Sequence, residues 1–300
     1  MTMSKDEPTT SPRRVGPKPS WLKTELPGPG RYAELRRLLA DLELNTVCTE
    51  AACPNMGECW KRGCATIMIL GSVCTRSCRF CNVDNTESPR RVDPKEPRNV
   101  AKALATLDLN HTVVTSVTRD DLPDGGARHW AETIAAIHEE CPQLTLEALV
   151  PDFQGSTDSL DLVLQTGPEV LSHNLETVSR LAPTIRPQAS YELSIEMLRH
   201  ASNRSALTKS GLMLGLGETD DEVVEALGDL LDAGVRIVTL GQYLQPTRRH
   251  APVERFVPPE KFEDLRKEAL EMGFECVESA PLVRSSYRAD RQAHLCRPSR

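Results

Sequence analysis

From residue 66 onward the chain repeats one unit: a short apolar run rich in β-branched residues, then an amphipathic stretch. The apolar runs are 66–71 (TIMILG), 111–117 (HTVVTSV), 144–150 (LTLEALV), 169–174 (EVLSHN), 210–216 (SGLMLGL) and 236–242 (RIVTLGQ). The stretches between them with helical spacing are 99–109, 126–140, 156–166, 190–202 and 219–233. Strands that are apolar almost throughout need cover on both faces, and parallel neighbours need a crossover helix. Ser156 caps one such helix, and Thr219-Asp220-Asp221-Glu222 resembles a capping box at another. Six units fall short of the eight of a closed barrel, so an open α/β fold, a partial (β/α)6 TIM-type barrel, fits better than a doubly wound sheet. In either design the chemistry collects where strands end and loops begin.

The ends of the chain depart from this repeat. Residues 1–20, rich in Pro, Ser, Thr and Lys, read as a flexible tail. A helix is expected over 31–43, where Leu35, Leu38, Leu39 and Leu42 share a face. Residues 21–65 are assigned to an N-terminal extension, 66–245 to the partial barrel and 246–300 to a C-terminal extension with a helix near 259–272. No apolar run approaches the roughly 18–20 residues of a membrane span. Residues 1–20 lack the apolar core of a signal peptide and carry Asp6 and Glu7 early, so the chain reads as cytoplasmic. A net charge of −7 argues against generic nucleic-acid binding. The end is locally basic: Arg284, Arg288, Arg291, Arg297 and Arg300 face one acid, Asp290. Two readings stand there, a solvated tail and a docking strip for an acidic partner.

Ten cysteines without an export signal point to metal or catalytic use rather than disulfides. Six of them fall into two triplets: Cys48-x4-Cys53-x5-Cys59, and Cys74-x3-Cys78-x2-Cys81 directly after the first strand. Short Cys-rich loops hold iron–sulfur clusters. Three thiolates on a cubane leave one iron open, so two triplets imply two clusters, each open to chemistry. Tetrahedral zinc usually takes four protein ligands in paired C-x2-C form. Cys64, Cys141, Cys276 and Cys296 lie outside both triplets and read as small hydrophobes or incidental thiols.

The second triplet, Cys74-Thr-Arg-Ser-Cys78-Arg-Phe-Cys81, resembles the signature of the radical S-adenosylmethionine superfamily, and the Gly-rich strand exit 210-SGLMLGLGET-219 supports this. The first triplet together with 71-GSVCTRSCRFC-81, 115-TSVTRDDLPDGGA-127, 173-HNLETV-178, 208-TKSGLMLGLGE-218, 241-GQYLQP-246 and 284-RSSY-287 resembles the lipoyl synthase family, over roughly residues 20–290. The resemblance implies a 4Fe-4S cluster on Cys74, Cys78 and Cys81 that cleaves S-adenosylmethionine to a 5′-deoxyadenosyl radical. It implies a second, auxiliary 4Fe-4S cluster on Cys48, Cys53, Cys59 and a serine of RSSY, with Ser286 preferred and Ser285 the fallback. An oxygen ligand on thiophilic iron suits a cluster meant to be taken apart.

The implied reaction inserts two sulfur atoms, at C6 and C8, into an octanoyl chain on a lysine of a lipoyl carrier domain. Implied partners are 2-oxoacid dehydrogenase E2 subunits, the glycine cleavage H protein, a low-potential electron donor such as ferredoxin or flavodoxin, and an iron–sulfur cluster carrier. Asn174 and Glu176, at the fourth strand's end, are candidates for the methionine or ribose portions of the cofactor. Arg186 is a candidate for a carboxylate or the substrate, and Thr115 and Ser116 end the second strand within reach of the same pocket. His173 reads as a packed or hydrogen-bonded residue. The competing readings are another radical sulfur inserter of the biotin synthase kind, a two-cluster electron carrier, and a zinc-stabilised interaction module.

Overall fold

The computed structural model describes residues 16–24, 31–62, 65–107, 109–204, 206–290 and 292. Eight strands form one sheet in sequential order: β1 (Asn45–Thr46), β2 (Thr66–Ile69), β3 (His111–Ser116), β4 (Thr145–Leu149), β5 (Val170–Ser172), β6 (Thr208–Leu214), β7 (Ile237–Gln242) and β8 (Cys276–Ser279). β1 is antiparallel to β2, with Thr46 opposite Ile67, and every pairing from β2 to β8 is parallel. Among the described residues β1 and β8 do not pair with each other, so the sheet is an open barrel.

The helices are α1 (Arg31–Asp41), α2 (Val47–Glu50), α3 (Met56–Lys61), α4 (Glu96–Leu107), α5 (Ala127–Glu140), α6 (Thr157–Leu164), α7 (Ala182–Ile185), α8 (Tyr191–Asn203), α9 (Asp220–Asp232) and α10 (Pro259–Met272). The caps form as their residues suggest. Ser156 Oγ accepts from Ser159 N at 3.2 Å at the start of α6, and Thr219 and Glu222 make the reciprocal capping box of α9.

The six strands anticipated from their apolar runs are β2 to β7. The sheet holds one parallel strand more: β8 arises from the segment assigned to the C-terminal extension and pairs Val238 with Val277. Its sequence, CVES, is short and half polar, so periodicity does not mark it. The N-terminal extension also joins the sheet, through β1. Two apolar clusters lie between sheet and helices, one around Ile67, Trp130, Leu146 and Leu160, the other around Leu214, Leu227, Leu240 and Phe262. A third, smaller cluster packs α1 on α3 through Leu35, Leu39 and Trp60, with Cys48 inside it. No helix among the described residues is long and apolar enough to cross a membrane.

Candidate active site

The chain leaves β2 through two residues in left-handed conformation, Leu70 (φ 69°) and Gly71 (φ 91°). A leucine at positive φ is strained and persists only when its surroundings hold it. Here Leu70 N–H donates to Glu96 Oε2 (2.8 Å), and Leu70 O accepts from Arg119 Nη1 (3.3 Å). Glu96 Oε2 also lies 2.6 Å from His129 Nε2. Gly126 lies beneath the leucine: a Cβ there would fall 2.5 Å from Leu70 Cδ1. The start of the Cys74–Cys81 loop is therefore clamped from α4, α5 and the β3 loop.

The rest of the loop is tied down on every side. Cys74 N–H donates to Asp84 O (2.8 Å), Thr75 N–H to Thr118 O (3.0 Å) and Arg79 N–H to Ile185 O (2.8 Å). His250 Nε2 lies 2.9 Å from Cys81 O, and Ala251 N–H donates to Arg79 O (2.8 Å). Arg76, inside the triplet, is buried and makes paired contacts with Asp152 (2.6 and 2.6 Å) and Asp120 (2.7 and 3.0 Å). Its backbone N–H lies 3.4 Å from Cys74 Sγ.

Burial pushes the Cys78 thiol up to about 11 and the Cys81 thiol up to about 12, and the neighbouring triplet sulfurs add to the rise at both. Arg186 opposes this at Cys78. As free thiols Cys78 and Cys81 stay protonated at neutral pH, and a ligand bearing positive charge is what turns such groups into thiolates. The donor set therefore fits an iron–sulfur cluster. Among the described residues no three His, Cys, Asp or Glu side chains converge as for a single metal ion. Thiolates around a four-iron cage stand further apart than those on one zinc.

The strand-end candidates divide. Asn174 Nδ2 donates to Glu176 Oε1 (3.1 Å), while Asn174 Oδ1 is buried without a partner. Beside it Gly211 lacks the Cβ that would come within 3.1 Å of that oxygen. Burial pushes the Glu176 carboxyl upward, and the Arg186 charge pulls it back. Arg186 Nη1 donates to Leu175 O (2.8 Å) and lies 3.3 Å from Ser194 Oγ. An orphaned amide oxygen and a desolvated carboxylate beside bare backbone fit a ligand with hydroxyl or ammonium donors.

Thr115 Oγ1 donates to Leu149 O (3.0 Å). Ser116, one residue on, is turned the other way and accepts from Trp130 Nε1 of α5 (3.2 Å). Alternation along the strand separates the two, and Ser116 belongs to the strand–helix contact. His173 bridges Val150 O (2.9 Å) and Ser194 Oγ (3.0 Å), and burial lowers its pKa to about 4. In the Gly-rich exit of β6, Glu218 accepts from Gly215 N (2.7 Å) and Leu216 N (2.9 Å), which folds the turn back on itself.

The first triplet occupies the other end of β2. Cys48, Cys53, Cys59 and Ser286 line one cavity with Thr66, the N-terminal part of β3 and Arg284. Thr66 Oγ1 donates to Ser286 Oγ (2.8 Å). Ser285 does not line this cavity. Burial pushes the Cys48 and Cys53 thiols upward. β2 has four residues, so the two triplets flank on the order of 13 Å of strand. Arg284 lines the first triplet's cavity and is within electrostatic reach of both Cys53 and Glu176.

That position removes Arg284 from the basic surface strip read from the sequence. Arg288 stacks over Tyr287 (5.1 Å to the ring centre), and Arg291, Arg297 and Arg300 lie outside the described residues. Cys64 and Cys296 also lie outside them, Cys276 is buried, and Cys141 is partly buried. The residues that hold the loop, Glu96, His129, Arg119, Arg76, Asp120 and Asp152, did not stand out in sequence. Charged residues usually read as surface, and the signal for three of them was their place inside the RDD and CTRSC segments.

An open parallel barrel with a C-x3-C-x2-C loop at the exit of its first parallel strand defines a radical S-adenosylmethionine protein. The Radical SAM superfamily model matches residues 68–230, and the model of the N-terminal domain of lipoyl synthase matches residues 7–53. Lipoyl synthase of Parabacteroides distasonis is 52% identical over 274 residues, covering 91% of this chain and 97% of that protein. That of Thermus thermophilus is 54% identical over 277 residues (91% and 86%), and the mitochondrial lipoyl synthase of Nematostella vectensis is 52% identical over 279 (93% and 96%). The chain belongs to the lipoyl synthase family. Among solved structures, methylornithine synthase superposes with TM-score 0.54 at 16% identity, covering 86% of this chain and 84% of that one, a likeness of fold.

Proposed function

We propose that the chain catalyses the lipoyl synthase reaction, the insertion of sulfur at C6 and C8 of a protein-bound octanoyl-lysine. The observation that carries the reading is the placement of two cysteine triplets at opposite ends of β2, with the half-buried Arg284 lining the cavity of the first. When bound, the clusters and S-adenosylmethionine supply a 5′-deoxyadenosyl radical at one end and sulfide at the other. Such an oxidant is needed because no side-chain base deprotonates an unactivated methylene.

The chain's own residues do the rest. Cys74, Cys78 and Cys81 hold the radical-generating cluster, and the clamp on Leu70 and the Arg76–Asp120–Asp152 contacts keep their loop in one geometry. Asn174, Glu176, Arg186 and Thr115 bind the polar parts of S-adenosylmethionine. Cys48, Cys53, Cys59 and Ser286 hold the auxiliary cluster. The cavity lining and the Thr66 hydrogen bond favour Ser286 over Ser285.

The substrate is an octanoylated carrier domain, of a 2-oxoacid dehydrogenase E2 subunit or the glycine cleavage H protein. Arg288 and the following arginines dock its acidic surface. Ferredoxin or flavodoxin supplies electrons in the cytoplasm, and a cluster carrier rebuilds the auxiliary site. The test is an anaerobic assay of the reconstituted protein with reductant, S-adenosylmethionine and an octanoyl-lysyl peptide, read by mass spectrometry. A product with two added sulfurs and released 5′-deoxyadenosine supports the reading. Deoxyadenosine without sulfur insertion overturns the substrate assignment.

A further inference from the structure

Trp60 sits on α3, next in sequence to Cys59, and is only 2% exposed. Its ring is held in place. Tyr32 of α1 packs against it with centroids 4.9 Å apart and planes tilted by 34°, and Leu35 and Leu39 close the same cluster. Cys48 is buried in that cluster as well. The indole carries one polar group, its N–H, and that group is fully buried and makes no hydrogen bond of normal geometry to the protein. A buried donor left unsatisfied costs about 1–3 kcal/mol, and native structures rarely tolerate one without a reason. Trp130, by comparison, spends its N–H on Ser116.

The cluster that buries this N–H also contains Cys48, with Cys53 and Cys59 packed against it, and Cys48 is the one of the three sulfurs that is buried. A neutral thiol is a weak acceptor, and a metal-bound thiolate is a far better one. We propose that Trp60 is a positioning residue for the auxiliary cluster, its indole N–H donating to the Cys48 sulfur once that sulfur is bound to iron. The inference rests on the reading that Cys48 is a cluster ligand. Hydrogen bonds to cluster sulfurs are among the factors that set reduction potential. This donor stabilises the more negative, reduced state and raises the potential of the cluster in which it takes part. The Tyr32 and leucine contacts hold the ring so that the bond forms without reorganisation.

The experiment is pulsed electron paramagnetic resonance on the reduced holoenzyme grown with nitrogen-15-indole-labelled tryptophan, together with a redox titration of the auxiliary signal. The expected result is a hyperfine coupling to labelled nitrogen at the auxiliary cluster, kept in Trp21→Phe and lost in Trp60→Phe. In Trp60→Phe the auxiliary midpoint also shifts to a more negative potential at unchanged iron content. A wild-type auxiliary signal without labelled-nitrogen coupling overturns the proposal, and this reading does not require the variant to fold. An unshifted midpoint in iron-replete Trp60→Phe overturns it too. If Cys48→Ala keeps the full iron content and both cluster signals, the ligand assignment itself is what fails.

Discussion

At the scale of single residues, the cofactor loop depends on charges that no reading of surface composition would place inside the protein. Arg76 is 7% exposed and Asp152 is 1% exposed. Removing one partner of a buried charge pair costs about 3–5 kcal/mol, and Asp120, which stays on Arg76, sets the loss at the lower end. Asp152→Asn is therefore expected to lower stability by about 3 kcal/mol, measured by anaerobic urea unfolding, with iron content at the Cys74 loop falling in parallel. An unchanged unfolding midpoint would show that the pair contributes nothing net. The two serines of RSSY give a sharper contrast. Ser286→Ala is expected to abolish sulfur insertion while S-adenosylmethionine cleavage continues, and Ser285→Ala to leave both intact. The reverse pattern would move the oxygen ligand to Ser285.

The grouping of the six triplet cysteines was legible from spacing, and the structure keeps Cys48, Cys53 and Cys59 on one cavity and Cys74, Cys78 and Cys81 on one loop. The direction of Ser116 was not legible, because adjacent strand residues face opposite ways and only the register tells which faces the barrel. Arg284 was read as part of a basic strip, since nothing local distinguishes an inward arginine from a solvated one.

At the scale of elements, the turn after β6 shows how a weak motif gains meaning from its contacts. Gly215 has φ 101°, and a Cβ on it would fall 2.3 Å from Gln242 Nε2. That amide group also bonds Leu214 O (3.0 Å), Tyr243 O (3.0 Å) and Arg255 O (3.1 Å), so the glutamine fastens two strand exits and the following loop together. Gly215→Ala is expected to cost about 1–3 kcal/mol from backbone strain alone. It should also raise the KM for S-adenosylmethionine more than it lowers kcat, as steady-state cleavage kinetics would reveal. A fall in kcat with KM unchanged would mean that the turn does not shape the cofactor site. Long elements such as α5 were legible from their period, and α6 and α9 from period and caps together. The short ones were not: β8 is four residues with a polar half, and β1 is two residues, too few for any period to appear.

At the scale of the whole molecule, pH acts through His173 in the packed interior. Its folded-state pKa, about 4, lies below the ordinary value of 6.5, so between these two the unfolded chain binds a proton that the folded one refuses. Stability contributed by this histidine is complete above pH 6.5 and is lost as pH falls toward 4. The full amount is about 3 kcal/mol. His173→Gln is expected to melt lower at neutral pH but with a flatter dependence between those limits, as anaerobic calorimetry would measure. A parallel dependence in both proteins would assign the acid sensitivity to other groups.

The same scale holds the central feature, an open barrel with one cysteine triplet at each end of its first parallel strand. The βα repeat announced the barrel. That the triplets sit at opposite ends was not legible, because it depends on how residues 45–62 and 276–290 fold back beneath the strands. The most direct test is to rebuild the clusters with heavy-isotope sulfide and run one turnover on an octanoylated carrier domain. The account predicts a product carrying the heavy isotope at both new carbon–sulfur bonds, and no product from Cys53→Ala despite continued 5′-deoxyadenosine release. Sulfur of natural isotopic composition in the product, or lipoyl formation by Cys53→Ala, would contradict it.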